Sequence, residues 1–298
     1  MILASPILNL RPTICGRFSK PLAAVTIKPF LGCSISSTKS SSTLLKCHCC
    51  THNKDTDKST QGFSVLTSDI PWKTGSLWST MALYMLNLHI PLGFGGLSIV
   101  AYILHQHVLD PQTQALSLLV IDILELLATL FLLNSTIRPE KRLVDIFGFN
   151  SVERNWLLAS ALGFGILIFI VFLTSIVIDG LFGVKDVNNP VLKEMLLRSD
   201  ISKVACIIIY CIITPILEEV VYRGFMLTSL ASTMDWKQAV VISAAIFSAA
   251  HFSGENFLQL FVIGCILGCS YCGTGNLCSS IAIHSLYNAF ILLVTFLS

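Results

Sequence analysis

Two adjacent carboxylates and an arginine close an apolar run in the last third of the chain: Glu218, Glu219 and Arg223 in "ITPILEEVVYRGFML". Residues four apart share a helix face, so Glu219 and Arg223 can pair, and Glu218 lines up with Tyr222. Neighbouring residues point about 100° apart, so Glu218 faces elsewhere, away from that arginine. A charge inside a membrane segment costs about 2.5–3.5 kcal/mol on insertion scales, and such charges usually serve function. A structural pair needs one acid; a second beside it suits a general base in a watered cavity. Two more polar insertions follow. "FSAAHFSG" puts His251 four residues after Phe247, just before an expected helix end at Gly254, and "IAIHSLYNAF" puts His284 and Asn288 on one face of the last segment. Each histidine alone reads equally as an interhelical hydrogen bond. Together, three separate helices bring a base, an orienting imidazole and donors for an oxyanion, the set that water-dependent cleavage of an amide requires.

The elements that must hold these residues are membrane spans. Of 298 residues 54% are hydrophobic and only 12% charged, where a soluble domain carries about a quarter charged. This composition belongs to a multi-spanning membrane protein, and the net charge of +2, with no basic stripe, gives nucleic acid nothing to hold. About 20 mainly apolar residues cross a bilayer. Candidate segments run near 79–104, 115–137, 156–179, 201–231, 238–252, 256–272 and 278–297, which predicts an all-α polytopic transmembrane bundle of about seven spans, six to eight being compatible. Pro215 removes a hydrogen bond inside the fourth and can kink it; the fifth is short for a full crossing. Gly264 and Gly268 form a small-xxx-small spacing suited to close helix contact. "LGFGGL" at Leu92 to Leu97 predicts a close-packed or kinked first span. Asp122 and Glu125 share a face of the second span and read either as polar contacts to another span or as cavity lining. The loop "RPEKRLVDIFGFNSVERN" is richer in basic residues than "HQHVLDPQTQ", which puts it, with the N-terminus, on the positive-inside side.

The leading residues differ in kind. No Asp or Glu precedes Asp55, whereas Arg11, Arg17, Lys20, Lys28, Lys39, Lys46 and Lys54 accompany the Ser/Thr run "SISSTKSSST". An acid-poor, basic, Ser-rich N-terminus reads as an organelle transit peptide, and the Ser-rich composition favours a plastid. "KCHCCTH" at Lys46 to His52 has zinc-like spacing but lacks the second ligand pair a structural zinc site needs. The remaining cysteines (Cys206, Cys211, Cys265, Cys269, Cys272 and Cys278) lie in or beside apolar runs and read as small buried hydrophobes. The expected organisation is a transit segment over 1–60, a linker over 61–78, N-terminal helices and loops over 79–200, and a catalytic transmembrane core over 201–298.

With those residues in view, "EEVVYRG", "FSAAH" and "HSLYN" resemble the EExxxR, FxxxH and HxxxN/D motifs of the CAAX-processing and bacteriocin-processing intramembrane proteases, to which the type II prenyl endopeptidases belong. The resemblance runs from Ser202 to the C-terminus; one motif alone is weak, but all three stand in order. It implies that Glu218 activates the attacking water, His251 helps to orient it, His284 and Asn288 stabilise the oxyanion, and Glu219 with Arg223 holds the site together. It favours a metal-free glutamate mechanism. A zinc alternative would use Glu219, His251 and His284, a His₂Glu set with an open position.

Three activities use such residues. One is an intramembrane endopeptidase acting on a plastid membrane protein in the thylakoid or inner envelope, since the family chemistry carries over better than a prenylated substrate does. Another is a non-proteolytic scaffold of the same fold that holds client membrane proteins such as pigment-biosynthesis enzymes. The third, a proton-coupled transporter, lacks the internal repeat common among transporters. In each case the partners are a membrane protein and the lipid bilayer, or a transported solute.

Overall fold

The computed structural model describes residues 63–66, 70–73, 75–143, 155–182 and 189–298. The expected transit segment and the "KCHCCTH" motif lie outside them. The described residues fold as helices: α1 (Leu77–Phe94), α2 (Gly96–Ile103), α3 (Pro111–Thr136), α4 (Trp156–Phe182), α5 (Pro190–Arg198), α6 (Asp200–Ala231), α7 (Trp236–Ala250), α8 (Phe257–Thr274) and α9 (Leu277–Leu297). Local chemistry fixes many of their ends. Asp110, Asn189, Ser199, Asp235 and Asn276 each accept a backbone N–H of the following first turn, which satisfies donors that have no partner within the helix. Gly275 ends α8 in the left-handed conformation at φ 64°, which costs glycine no Cβ clash.

Five helices are long and apolar enough to cross a membrane (α3, α4, α6, α8 and α9), and six if the bent pair α1–α2 counts as one. The pair bends by 50° within the "LGFGGL" stretch. Gly95 is required there, because a Cβ would stand 2.6 Å from the Pro91 carbonyl oxygen. The expectation of about seven spans is therefore reduced by one. α7 is helical where expected, but 15 residues rise only about 22 Å, short of the roughly 30 Å hydrocarbon core. The Asp235 cap and the turn at His251 set its limits. α5 is an element the hydropathy pattern did not suggest; its signature is the Asn189 cap followed by Pro190 at the first helical position.

α6 is the centre of the bundle, and every residue from 217 to 227 is buried. α7, α8 and α9 pack around one side of it, and α1 and α3 reach it from the other. The glycine spacing works as expected. A Cβ on Gly264 would lie 3.0 Å from the Ala244 backbone, and one on Gly268 3.2 Å from Val240, so α8 lies directly against α7. α4 closes on α9 through Gly163, where a Cβ would stand 2.5 Å from Ile283. Pro215 does not break α6. The helix absorbs it in two π-helical stretches, Ile209–Ile213 and Val220–Leu227.

A strap precedes α1. Val65 N–H donates to the Cys272 carbonyl at 2.9 Å, and Arg138 N–H to the Pro71 carbonyl at 2.9 Å. Phe63 stacks on Trp236 with ring centroids 4.9 Å apart, and buried Trp72 meets Phe225 edge-on at 4.8 Å.

Candidate functional site

The buried middle of α6 presents two faces. On one, Glu219 Oε1 accepts from Arg223 Nη1 at 2.7 Å, with both side chains at 1% exposure or less. Arg223 is held twice more: Nη2 donates to the Gly264 carbonyl at 3.3 Å, and the guanidinium lies 4.4 Å above the Phe247 ring. The same Glu219 oxygen receives His284 Nδ1 at 2.9 Å. A desolvated charge needs this many partners, because burying one without them costs several kcal/mol.

Because Nδ1 of His284 is turned to Glu219, its Nε2 is turned to Glu218, 3.6 Å from Oε2. His251 is oriented in the same manner. Its Nδ1 lies 2.7 Å from the Phe247 carbonyl, and its Nε2 faces Glu218 Oε1 at 3.6 Å. Glu218, 5% exposed, thus has an imidazole nitrogen opposite each oxygen, at a separation that a shared water spans. Phe247 is the hub of this arrangement. Its ring stands edge-on to Tyr222, His251 and His284 at 5.2, 4.7 and 6.4 Å and carries Arg223 on its face.

Asn288 lies elsewhere than beside Glu218. Its Nδ2 donates to the Tyr210 carbonyl at 2.8 Å, and the reason lies in α6. Thr214 N–H bonds back to Ile209, five residues away. In that register the donor due to Tyr210 belongs to Pro215, which has no N–H. Asn288 fills the gap with one of its two N–H groups. The structure therefore brings Glu218, Glu219, Arg223, His251 and His284 together, and it sets Asn288 one turn further along α9, as a support of the π-helical stretch. The carbonyls of Gly264, Phe247 and Tyr210 complete the site, and backbone acceptors of this kind carry no signal in a sequence.

The zinc alternative does not fit these positions. Glu219 Oε1 is occupied by Arg223 and His284 Nδ1, while His251 turns to Glu218. Among the described residues no group of three or more His, Cys, Asp or Glu side chains is placed to hold a metal ion.

The other face of α6 carries Thr214, Glu218 and Tyr222. Thr214 Oγ1 donates to Asp122 Oδ2 at 3.2 Å, and the Tyr222 hydroxyl approaches Met85 Sδ at 3.9 Å. Glu125, a turn from Asp122 on α3, accepts at Oε1 from Tyr84 at 3.2 Å and pairs with His89 Nδ1 at 2.9 Å. Both acids of the second span thus make polar contacts to other helices, and they do so on the side of α6 from which Glu218 projects.

Residues 200–290 match the family model described as Type II CAAX prenyl endopeptidase Rce1-like. That segment comprises α6 to most of α9 and holds all three motifs, and it belongs to the CAAX-type protease family. Comparison with curated proteins and with solved structures found no match.

Proposed function

We propose that the chain is an intramembrane endopeptidase that hydrolyses a peptide bond of a membrane protein with water activated by Glu218. A single observation supports this most: each Glu218 oxygen faces an imidazole Nε2 at 3.6 Å, while the neighbouring Glu219 is fully engaged by Arg223 and His284. In the attack, water loses a proton to the Glu218 carboxylate and its oxygen bonds to the peptide carbonyl carbon. The oxyanion that forms takes donors from His284 in its protonated form and from the second N–H of Asn288. Collapse breaks the C–N bond, and Glu218 returns its proton to the leaving nitrogen. His251 keeps the water on the Glu218 oxygen it faces. General-base assistance of this kind contributes about 10²–10⁴-fold. The acid-free, Ser-rich leading segment supports residence in a plastid membrane, thylakoid or inner envelope.

The test compares membrane proteins from cells lacking the chain, complemented with wild type or with Glu218→Gln. One or more membrane proteins should remain uncut in the null and in the Glu218→Gln line and be cut with wild type. If Glu218→Gln restores every change, the chain acts by holding a client protein and the hydrolytic reading is overturned.

A further inference from the structure

The acid–imidazole–phenol cluster between α1 and α3 is built around an acceptor that nothing in the described residues uses. Glu125 is 2% exposed, and both of its hydrogen bonds, from Tyr84 and His89, fall on Oε1. Oε2 takes neither. The residue beside Oε2 is Gly93, and neither backbone nor space demands glycine there. Its φ is ordinary, and a Cβ would meet Glu125 Oε2 and His89 Nδ1 at an unstrained 3.9 Å. The contrast with Gly95, two residues on, is sharp: there a Cβ would stand 2.6 Å from a carbonyl oxygen. Glycine within a helix costs about 0.5–1 kcal/mol relative to alanine, so at 93 its use is to leave the Glu125 oxygen uncovered. Gly93 is itself exposed and His89 half-buried, so the opening is reachable. It also lies on the side of α6 that carries Glu218, to which α3 is tied through Asp122–Thr214 and α1 through Met85–Tyr222.

Resting on the endopeptidase reading, we infer that Glu125 Oε2, positioned by Tyr84 and His89 and left open by Gly93, accepts the backbone N–H of an unwound transmembrane segment next to its scissile bond. The substrate class is then a membrane-spanning helix that must be locally extended, rather than a tail already extended outside the bilayer. A helical peptide bond is shielded by its own turns. Opening it strands N–H groups where no water replaces their partners, at several kcal/mol each. A buried carboxylate oxygen is a strong acceptor for such a donor, and no Lys or Arg lies between Lys73 and Arg138 to occupy it.

The test uses the purified full chain in liposomes with total membrane protein from cells lacking it, and reads new N-termini by labelling and mass spectrometry over time. Two variants are compared with wild type. Glu125→Gln keeps its oxygen towards Tyr84 and His89 and so turns an NH₂ donor to the opening. Gly93→Ala caps the same opening with a methyl group that fits. Both should slow cuts inside uninterrupted apolar spans by at least about tenfold, the scale of one buried donor left unpaired. Both should slow cuts near Gly or Pro, or outside spans, by less than about threefold. Equal slowing at all sites, or none, overturns the inference and leaves the protease standing. If wild type makes no cut that Glu218→Gln fails to make, the endopeptidase reading falls and this inference with it.

Discussion

The two sides of α6 treat a buried carboxylate in opposite ways. Towards α7–α9, Glu219 shares one oxygen between an arginine and an imidazole, and that arginine is fixed in turn by a carbonyl and an aromatic face. Towards α1–α3, Glu125 is held by a phenol and a half-exposed imidazole, with glycine beside its other oxygen. The first side has every feature of a rigid support; the second has one acceptor left over. Glu218 stands at the seam, with its imidazoles from the rigid side and its helix face shared with the open one. A hydrolytic site in a bilayer needs both, a fixed geometry for water and a less committed wall where substrate can lie.

The comparison breaks most plainly at its seam. Glu218→Gln should lower cleavage by about 10²–10⁴-fold while the thermal midpoint of the purified protein in detergent stays within a few degrees of wild type. A collapsed midpoint would make the carboxylate part of the support instead. Next comes the rigid side: Arg223→Ala strands a fully buried carboxylate and should cost about 3–5 kcal/mol of stability, read by denaturation in mixed micelles. Gly264→Ala tests the same side through packing alone. Its new methyl would meet the Ala244 backbone at 3.0 Å, and overpacking of this kind costs about 1–3 kcal/mol. The smallest effect belongs to the open side, where Tyr84→Phe removes one of two hydrogen bonds to Glu125 and should cost about 0.5–1.5 kcal/mol. An effect as large as that of Arg223→Ala would mean that the two sides are equally rigid.

What the sequence disclosed and what it hid divide along the range of the interactions. The spans, the Glu219–Arg223 pair and the contact of Gly264 and Gly268 with α7 follow from apolar windows and from three- and four-residue spacings within one helix. The division between Glu218 and its neighbour follows from the same repeat. The partners of Asp122 and Glu125 do not, since they depend on which helices meet across more than 30 residues of chain. The Asn288–Tyr210 bond needed a register shift that Pro215 permits but does not announce. α7 was expected as a span because apolarity alone does not separate a buried helix from a crossing one; its length does.

The strap before α1 bears on how this chain can be matured. Its first contact is the Phe63 ring on Trp236, followed by Val65 on the end of α8 and Trp72 wedged against Phe225. A processing cut before Phe63 leaves all three in place. A cut between Phe63 and Trp72 bares the end of α8, and one beyond Trp72 withdraws the largest ring packed on the core of α6. The fold thereby sets its own limit on trimming, and the N-terminus of the working protein is expected at or before residue 63.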